Sequence, residues 1–342
     1  MQAPLVSVIC LCYNHEKFVV EALRSVFLQT YSNIELIIVD DASVDGSVKI
    51  IEEVLDDIDV SSTAEETQNR AFELPNSPAF IKNQQNQGNC RAFNAGLKIA
   101  QGKYIIDLAA DDVLLDDRIE KQVLLFESLP KEYAVVFSNA VNINEAGDIL
   151  NYHYPVDKAG KSKVDVPQGN VYTEVLSRYF INTATMMMRT DALRQMGGYD
   201  ESLSYEDFDF WVKTSRHYLY KYQDEVTTMK RVVRNSLSSA FYRNKMNPHL
   251  ESTLQVFYKA FELNTSPAEN LALSRQVSYH LRLAFYTQHF DLVFSFNDLL
   301  KKLDSTTKLT ETIVFLSKNK IKVYWFYHIY RKIKRWFATR LR

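Results

Sequence analysis

The sequence predicts an α/β fold with a mostly parallel sheet, followed by a C-terminal α-helical region. Two apolar, β-branched-rich runs, Leu5–Cys12 and Ile34–Val39, flank a stretch in which Phe18, Ala22, Val26 and Phe27 recur at helical spacing, which makes a β-α-β unit. The alternation of strand and helix patterns continues to Ser138, and beyond Asn247 Phe, Leu and Tyr recur at helical intervals to the end. Parallel strands joined by right-handed crossovers bind ligands at their carboxyl ends, so the strand ends are where chemistry is expected.

Taken in order, Asp40-Asp41 ends the second strand, and Ser43-Val44-Asp45-Gly46-Ser47 is a turn and capping cluster opening a helix over Ser47–Leu55. Residues 56–78 are polar and aperiodic and read as a loop or insertion. A short strand at Phe80-Ile81, the run Asn86-Gln87-Gly88, a helix over Cys90–Ala100 and a strand over Lys103–Leu108 follow, the last leading to Asp111-Asp112. A helix over Asp116–Leu129 and a strand over Ala134–Ser138 complete the unit. Asn139–Gly169 reads as loop with a hairpin excursion, Val171–Tyr179 as helix, and Ala184–Arg189, with its Met186-Met187-Met188, as a buried strand. Asp191–Met196 is a short helix closed by Gly197-Gly198, and Glu206–Arg216 is a further helix. This gives a domain over residues 1–245 and a helical region over 246–342.

The 342 residues, 46% hydrophobic, suffice for a large core. A net charge of −2 argues against nucleic acid as a partner. The charge is uneven, because Lys318–Arg342 holds nine basic residues and no acid. There Phe326, Ile329, Tyr330, Ile333, Phe337 and Leu341 fall on one helical side, with Arg331, Lys332, Lys334, Arg335 and Arg342 mostly elsewhere and Arg340 among the apolar residues. A basic amphipathic tail over 318–342 of this kind suits peripheral contact with an anionic membrane, the alternative being packing on the rest of the chain. Three cysteines, Cys10, Cys12 and Cys90, no signal-peptide pattern and no spanning apolar run lead to the expectation of a cytoplasmic protein, peripheral on the inner face of the cytoplasmic membrane where the tail attaches.

Two acidic pairs at strand ends, Asp40-Asp41 and Asp111-Asp112, would open onto one crevice. Hard divalent cations bind through one or two carboxylates plus substrate phosphates, although a single acidic pair also suits a solvated, capping turn. His15, His153, His217 and His249 lack metal-ligand spacing and read as packing or surface residues. The place after the first strand where a dehydrogenase carries G-x-G-x-x-G holds Cys12-Tyr13-Asn14-His15 instead.

The run Val6-Ser7-Val8-Ile9, Tyr13-Asn14, Glu21-Ala22, Ser25-Val26, Gln29-Thr30-Tyr31 and Val39-Asp40-Asp41-Ala42-Ser43-Val44-Asp45-Gly46-Ser47 resembles glycosyltransferase family 2. The likeness continues through Asn86-Gln87-Gly88, Ala92-Phe93-Asn94-Ala95-Gly96, Gly102-Lys103-Tyr104-Ile105 and Asp111-Asp112. It returns at Gly197-Gly198-Tyr199-Asp200-Glu201 and Glu206-Asp207-Phe208-Asp209-Phe210-Trp211, covering roughly residues 4–240. The resemblance implies a Rossmann-like A-type glycosyltransferase fold, an inverting transfer from a nucleotide-sugar donor, with a UDP-sugar leading, and Mn²⁺ or Mg²⁺ as cofactor. The acceptor it implies is a glycan or lipid-linked molecule in cell-surface polysaccharide synthesis. By position, Asp41 would accept the N3–H of uracil, Tyr13 would pack on the base, Asp111 would bind the donor, toward its ribose or the metal, Asp112 would hold the metal, and Asp207 would be the general base, with nucleotide-sugar binding in about 4–138 and the acceptor side in about 139–245. Asn86 falls in the same donor motif, while Arg91 and Asn94 on the next helix are either donor contacts or a solvated face. For Asp207 and Glu206 the other reading is a first-turn carboxylate favoured by the helix dipole.

Two departures stand out. Ala109 replaces the first acid of the usual D-A-D-D, and Val233 lies where relatives carry a histidine, leaving Arg231 or Arg234 as a cation for the diphosphate. A non-catalytic sugar-nucleotide binder of the same fold would be expected to lose Asp112 or Asp207, and both are present.

Overall fold

A computed structural model describes residues 3–62, 77–233, 241–242 and 247–340. The chain divides into two compact units: residues 1–171 with 180–233, and residues 172–179 with the described part of 234–342. The first unit therefore ends at 233 rather than at the expected 245, and it gives up residues 172–179 to the helical unit.

The first unit is built on a nine-stranded mixed sheet. Its parallel half comprises β1 (Val6–Cys12), β2 (Ile34–Asp40), β3 (Ala79–Lys82) and β4 (Tyr104–Ala109), in the order β3-β2-β1-β4. Every residue of β1 is buried, as expected of a strand covered on both faces. On this half pack α1 (Val19–Phe27), α2 (Ser47–Ser62), α3 (Asn89–Ile99) and α4 (Arg118–Ser128), burying Leu23, Val26, Ile119 and Phe126 against Val8, Ile38 and Ile106. The helix from Ser47 runs to Ser62, so the stretch read as a loop from 56 begins as helix; residues 63–76 of it lie outside the described residues.

The other half has β5 (Val113–Leu114), β6 (Tyr133–Ile143), β7 (Ile149–Tyr152), β8 (Met187–Arg189) and β9 (Leu219–Arg231). Here β8 runs antiparallel to both β4 and β6, β5 is antiparallel to β9, and β6 and β9 are parallel. The strand read as Ala134–Ser138 extends to Ile143 and turns into β7, realising the expected hairpin. It tolerates a buried Asn139 because that amide donates to Tyr154 O at 2.8 Å and accepts from Tyr154 N at 2.8 Å. Short α5 (Tyr172–Ser177) belongs to the second unit, while α6 (Thr190–Gln195) and α7 (Asp207–His217) follow β8 in the first.

The second unit continues with α8 (Pro248–Leu263), α9 (Pro267–Tyr286), α10 (Phe290–Lys302), α11 (Lys308–Lys318) and α12 (Tyr324–Arg340). Their starts are written in the sequence: Pro248 follows the Asn247 cap, and Ser266 and Glu269 form a reciprocal capping box ahead of α9. Tyr172 of α5 donates to Asn264 at 2.8 Å, and Gln276 donates to Ser177 O at 2.9 Å. Inside, His280 sits among Phe257, Phe296 and Tyr279, and burial pushes its pKa down to about 4. It is a neutral core residue at physiological pH.

Candidate functional site

The carboxyl ends of β1, β2 and β4 carry the first part of the site. The loops after β1 and β2 are laced together: Asn14 N donates to Ser43 Oγ at 2.9 Å, Val44 N to Asn14 Oδ1 at 2.8 Å, His15 N to Ser47 Oγ at 2.9 Å and Gly46 N to Glu16 Oε2 at 2.8 Å. This lacing holds Asn14 and Ala42 at positive φ, 58° and 64°, and leaves Tyr13 45% exposed beside Asp41 in the paired loop. Asp40 accepts Ser43 N at 2.9 Å and so caps its own turn.

Asp41 is buried and its carboxylate organises the next loop. Oδ1 accepts from Asn83 Nδ2 and Gln87 N, both at 2.9 Å, and Oδ2 accepts from Gly88 N at 2.8 Å. Asn86 Nδ2 reaches the Asp41 carbonyl at 3.3 Å. The motif Asn86-Gln87-Gly88 is thus a wrap around one aspartate, and Gly88 at φ +87° supplies the backbone shape the wrap needs. A carboxylate offers about four lone-pair sites, so Oδ2 keeps room for one further N–H.

Beyond β4, Asp111 and Asp112 are buried, with His15 Nε2 at 4.0 Å from Asp111 Oδ2. Asp112 Oδ1 accepts Arg231 N at 2.8 Å. Burial, and next repulsion from Asp111, push Asp112 up to about 7 against the pull of Lys230, the Arg231 N–H and Arg118. A bound cation would relieve that cost. Among the described residues no three His, Cys, Asp or Glu side chains converge as metal ligands. A pair of adjoining carboxylates, completed by substrate phosphate and water, is nonetheless the donor set Mg²⁺ or Mn²⁺ commonly takes, and the residues fit.

Arg118 is the largest fully buried side chain, and the sequence reading passed over it. Its guanidinium donates to Gln122 at 3.2 Å, Ala184 O at 2.7 Å, Thr228 at 2.9 Å and Met186 O at 3.0 Å, tying α4 to β9 and to the approach to β8. Four polar partners make a buried cation tolerable. Its charge also favours ionised Asp112.

On the other side, Asp207 opens α7. It is held by Phe208 N at 2.7 Å and Thr183 Oγ1 at 3.3 Å, and burial raises its pKa. Beside it Glu206 accepts from Asn89 at 2.6 Å and is pushed up to about 8 by burial, then by Asp207 and Asp107. Asp107 on β4 is likewise raised to about 7 by burial and accepts the Tyr199 hydroxyl at 3.0 Å. Lys230 links the surroundings of the two acids: its Nζ lies 3.5 Å from Asn182 Oδ1, next to the Thr183 that donates to Asp207, and the following peptide N–H, of Arg231, donates to Asp112.

Two expectations change. Asn94 was read as a donor contact or solvated residue, but its amide is occupied by the turn after α6: it donates to Tyr199 O at 2.8 Å and Glu201 at 3.1 Å and accepts from Tyr199 N at 3.0 Å. Gly198, at φ +70°, is required there, since a Cβ would lie 2.5 Å from Asn94 Oδ1. Arg91 pairs with Glu201 at 3.6 Å on the surface, so both side chains brace the Tyr199 turn, where Tyr199 stacks on Phe93 at 4.1 Å. Arg231 as a diphosphate cation is the second change, because its guanidinium is engaged by Glu21, the Asp111 and Asn144 carbonyls and the Phe18 ring. Arg234 lies outside the described residues.

A cavity of about 540 Å³ lies at the start of β4, lined by Lys103, Glu127, Arg189 and Arg194, among others. Three of its cations are engaged within the fold: Lys103 by Glu127 at 2.6 Å, Arg189 by the Tyr133 carbonyl at 2.7 Å and Arg194 by the Leu97 and Ala100 carbonyls.

The family model described as "Glycosyl transferase family 2" matches residues 7–196, more than half of the chain. The chain belongs to glycosyl transferase family 2. Among its family relatives, an uncharacterised glycosyltransferase of Methanocaldococcus jannaschii is 32% identical over 219 residues, 62% of this chain and 65% of that protein. One from Rickettsia prowazekii is 28% identical over 231 residues, covering 67% of this chain and 64% of its own length. The match thus spans slightly under two thirds of these relatives. Of solved family 2-like folds, S. aureus TarS 1–349 in complex with UDP-GlcNAc superposes with a TM-score of 0.65 at 16% identity, over 92% of this chain and 88% of that one. Mannosyltransferase PcManGT from Pyrobaculum calidifontis, in complex with GDP-Man and Mn²⁺, gives 0.55 at 15% identity over 94% and 86%. At such identities the likeness establishes the A-type glycosyltransferase fold.

Proposed function

We propose that this family 2 protein is an inverting glycosyltransferase that moves a sugar from a UDP-sugar to a hydroxyl of a glycan or lipid-linked acceptor in cell-surface polysaccharide synthesis. The observation that supports the reading is the chain of contacts from Asp112 through the Arg231 N–H at 2.8 Å, neighbouring Lys230 to Asn182 at 3.5 Å, and Thr183 to Asp207 at 3.3 Å, which connects the metal-type acid with the base-type acid. The UDP-GlcNAc in the TarS complex favours a uridine donor, and the GDP-Man and Mn²⁺ of the mannosyltransferase favour a metal. In this chain Tyr13 would pack on the base, the remaining lone pair of Asp41 Oδ2 would accept its N3–H, and Asn86 would hold that loop in place. Asp111 and Asp112 would hold Mn²⁺ or Mg²⁺, which when bound neutralises charge on the diphosphate. Asp207 would take the proton of the acceptor hydroxyl as its oxygen attacks the anomeric carbon and the bond to the diphosphate breaks. Retention of Asp112 and Asp207 argues against a purely binding role.

Purified protein should bind UDP in the presence of Mn²⁺ and lose at least about tenfold in affinity on chelation, a change of about 1.4 kcal/mol. Asp112→Ala should remove most turnover of a UDP-sugar with the melting temperature little changed. Full activity in excess chelator would contradict the metal's role, and absence of UDP binding would contradict the donor.

The tail supports a peripheral membrane contact. Helix α12 rests on its own unit through Tyr327, stacked on Tyr286 at 4.9 Å, and Arg331, 3.5 Å from the Tyr242 ring centre. It leaves Trp325, Phe326, Tyr330 and Ile333 at least half exposed, next to Lys332. Aromatic side chains beside basic ones suit an anionic bilayer interface. The side chains of Lys334, Arg335, Phe337 and Arg340, and Leu341 and Arg342, lie outside the described residues. No helix among the described residues is long and apolar enough to cross a membrane. Full-length protein should sediment with anionic liposomes at low salt and be released at high salt, and truncation after Leu316 should abolish sedimentation. Indifference of the full-length chain to such liposomes would end the membrane reading.

A further inference from the structure

The geometry points to Lys230 as the cation that receives the donor's diphosphate, an inference that rests on the glycosyltransferase reading and deepens it. Lys230 and Arg231 are adjacent on β9, so their side chains leave opposite faces of the strand. Arg231 turns toward Glu21 and Phe18, where carbonyls, a carboxylate and a ring occupy it. Lys230 turns the other way, toward Asn182, whose Oδ1 its Nζ meets at 3.5 Å. Asn182 adjoins Thr183, the residue that donates to Asp207, and the Arg231 peptide next to Lys230 is the one that binds Asp112.

The ammonium is half-buried and carries three donors, of which one makes a contact at the limit of hydrogen bonding. Among the described residues no carboxylate lies within 4.0 Å of it. Asp112 and Asp207 are near enough to feel its field without pairing with it. A half-buried cation with one long hydrogen bond, set between the contacts that hold Asp112 and Asp207, has donors available for one anionic partner. The donor supplies that partner. When the anomeric C–O bond breaks, its electron pair goes to the β-phosphate oxygen, while the acceptor oxygen bonds the carbon and its proton passes to Asp207. Lys230 keeps its proton throughout and donates hydrogen bonds to the phosphate, whose charge grows by one unit. Such an interaction strengthens as the bond breaks, which is the condition for raising the rate rather than only the affinity.

The test is calorimetric titration of full-length Lys230→Met with UDP and with UMP in Mn²⁺. Charge-assisted hydrogen bonds lead to an expected loss for UDP of roughly 10- to 100-fold, with UMP, which lacks the β-phosphate, changed by less than about threefold. Lys230→Arg should recover most of the loss. With substrate, kcat should fall and the acceptor KM should stay within about twofold, because the contact is to the leaving group. Since Lys230 makes one long hydrogen bond, the melting temperature of Lys230→Met should stay near that of the wild type. Unchanged UDP affinity, or a change confined to the acceptor KM, would overturn the assignment, the latter giving Lys230 to the acceptor instead. Should the wild type prefer GDP or dTDP, the same comparison runs with that diphosphate and its monophosphate. A wild type that binds no nucleoside diphosphate fails the glycosyltransferase reading itself, a result distinct from equal binding by wild type and variant.

Discussion

Asp207→Asn is expected to lower sugar transfer by about 10²- to 10⁴-fold, the usual contribution of a general base, while UDP affinity stays within about threefold of wild type. The amide keeps the shape that Phe208 N and Thr183 hold but cannot take a proton. Burial raises the Asp207 pKa, so the group must lose its proton at a pH above the ordinary carboxylate range before it can act. The sign follows: wild-type transfer should fall as pH drops through that raised value and climb toward neutrality. The check is single-turnover transfer across pH beside calorimetric UDP binding. Near-normal transfer by Asp207→Asn would remove it as the base. Asp209 would be a poor successor, being buried and paired with Lys213 at 2.8 Å.

Arg118→Met should destabilise the protein by about 3–5 kcal/mol, the range for breaking a buried charge network by removing one member. Methionine matches the bulk but removes the arginine donor from the Ala184 and Met186 carbonyls and the Thr228 hydroxyl; Ala184 O and Thr228 keep only contacts of 3.4 Å and 3.3 Å, and each buried group left unmet costs about 1–3 kcal/mol. At roughly 2–4 °C per kcal/mol for a unit of this size, the melting temperature should fall by about 10 °C. Asp112 would also lose a favourable charge. Arg118→Lys, which can still reach one or two of these acceptors, should fall between the two. A melting temperature within about 2 °C of wild type would show that neighbouring groups or water satisfy the network.

The parallel half of the sheet was legible because its strands are continuous apolar runs and its helices show one apolar stripe each. The acidic pairs were legible because they interrupt those runs at the strand ends. Strand β9 was missed for a physical reason. Tyr220 and Tyr222 alternate as a half-buried strand should, but the pairing of Ser138 with Gln223 and of Asn139 with Val226 leaves Asp224 and Glu225 as an insertion in the ladder, and these polar residues break the period. With β9 went Lys230. Arg118 escaped because an arginine one residue after Asp117, at the start of a helix, looks solvated until the partners at 184–186 and 228 are folded onto it. Asn94 and Arg91 were visible as polar residues on a helix near the donor motif, but nothing local shows that the turn at Tyr199 takes them.

The alternation along β9 also limits how this part of the chain can vary. Inserting or deleting one residue between Thr228 and Lys230, where the pairing with β6 is regular, would rotate everything downstream by half a strand period, presenting the wrong cation to each side. Arginine would then point into the crevice, and lysine would be left to brace the loop at Glu21. Length changes in this short stretch should therefore come in pairs or be absorbed at the ladder irregularities at Asp224–Glu225 and Thr227.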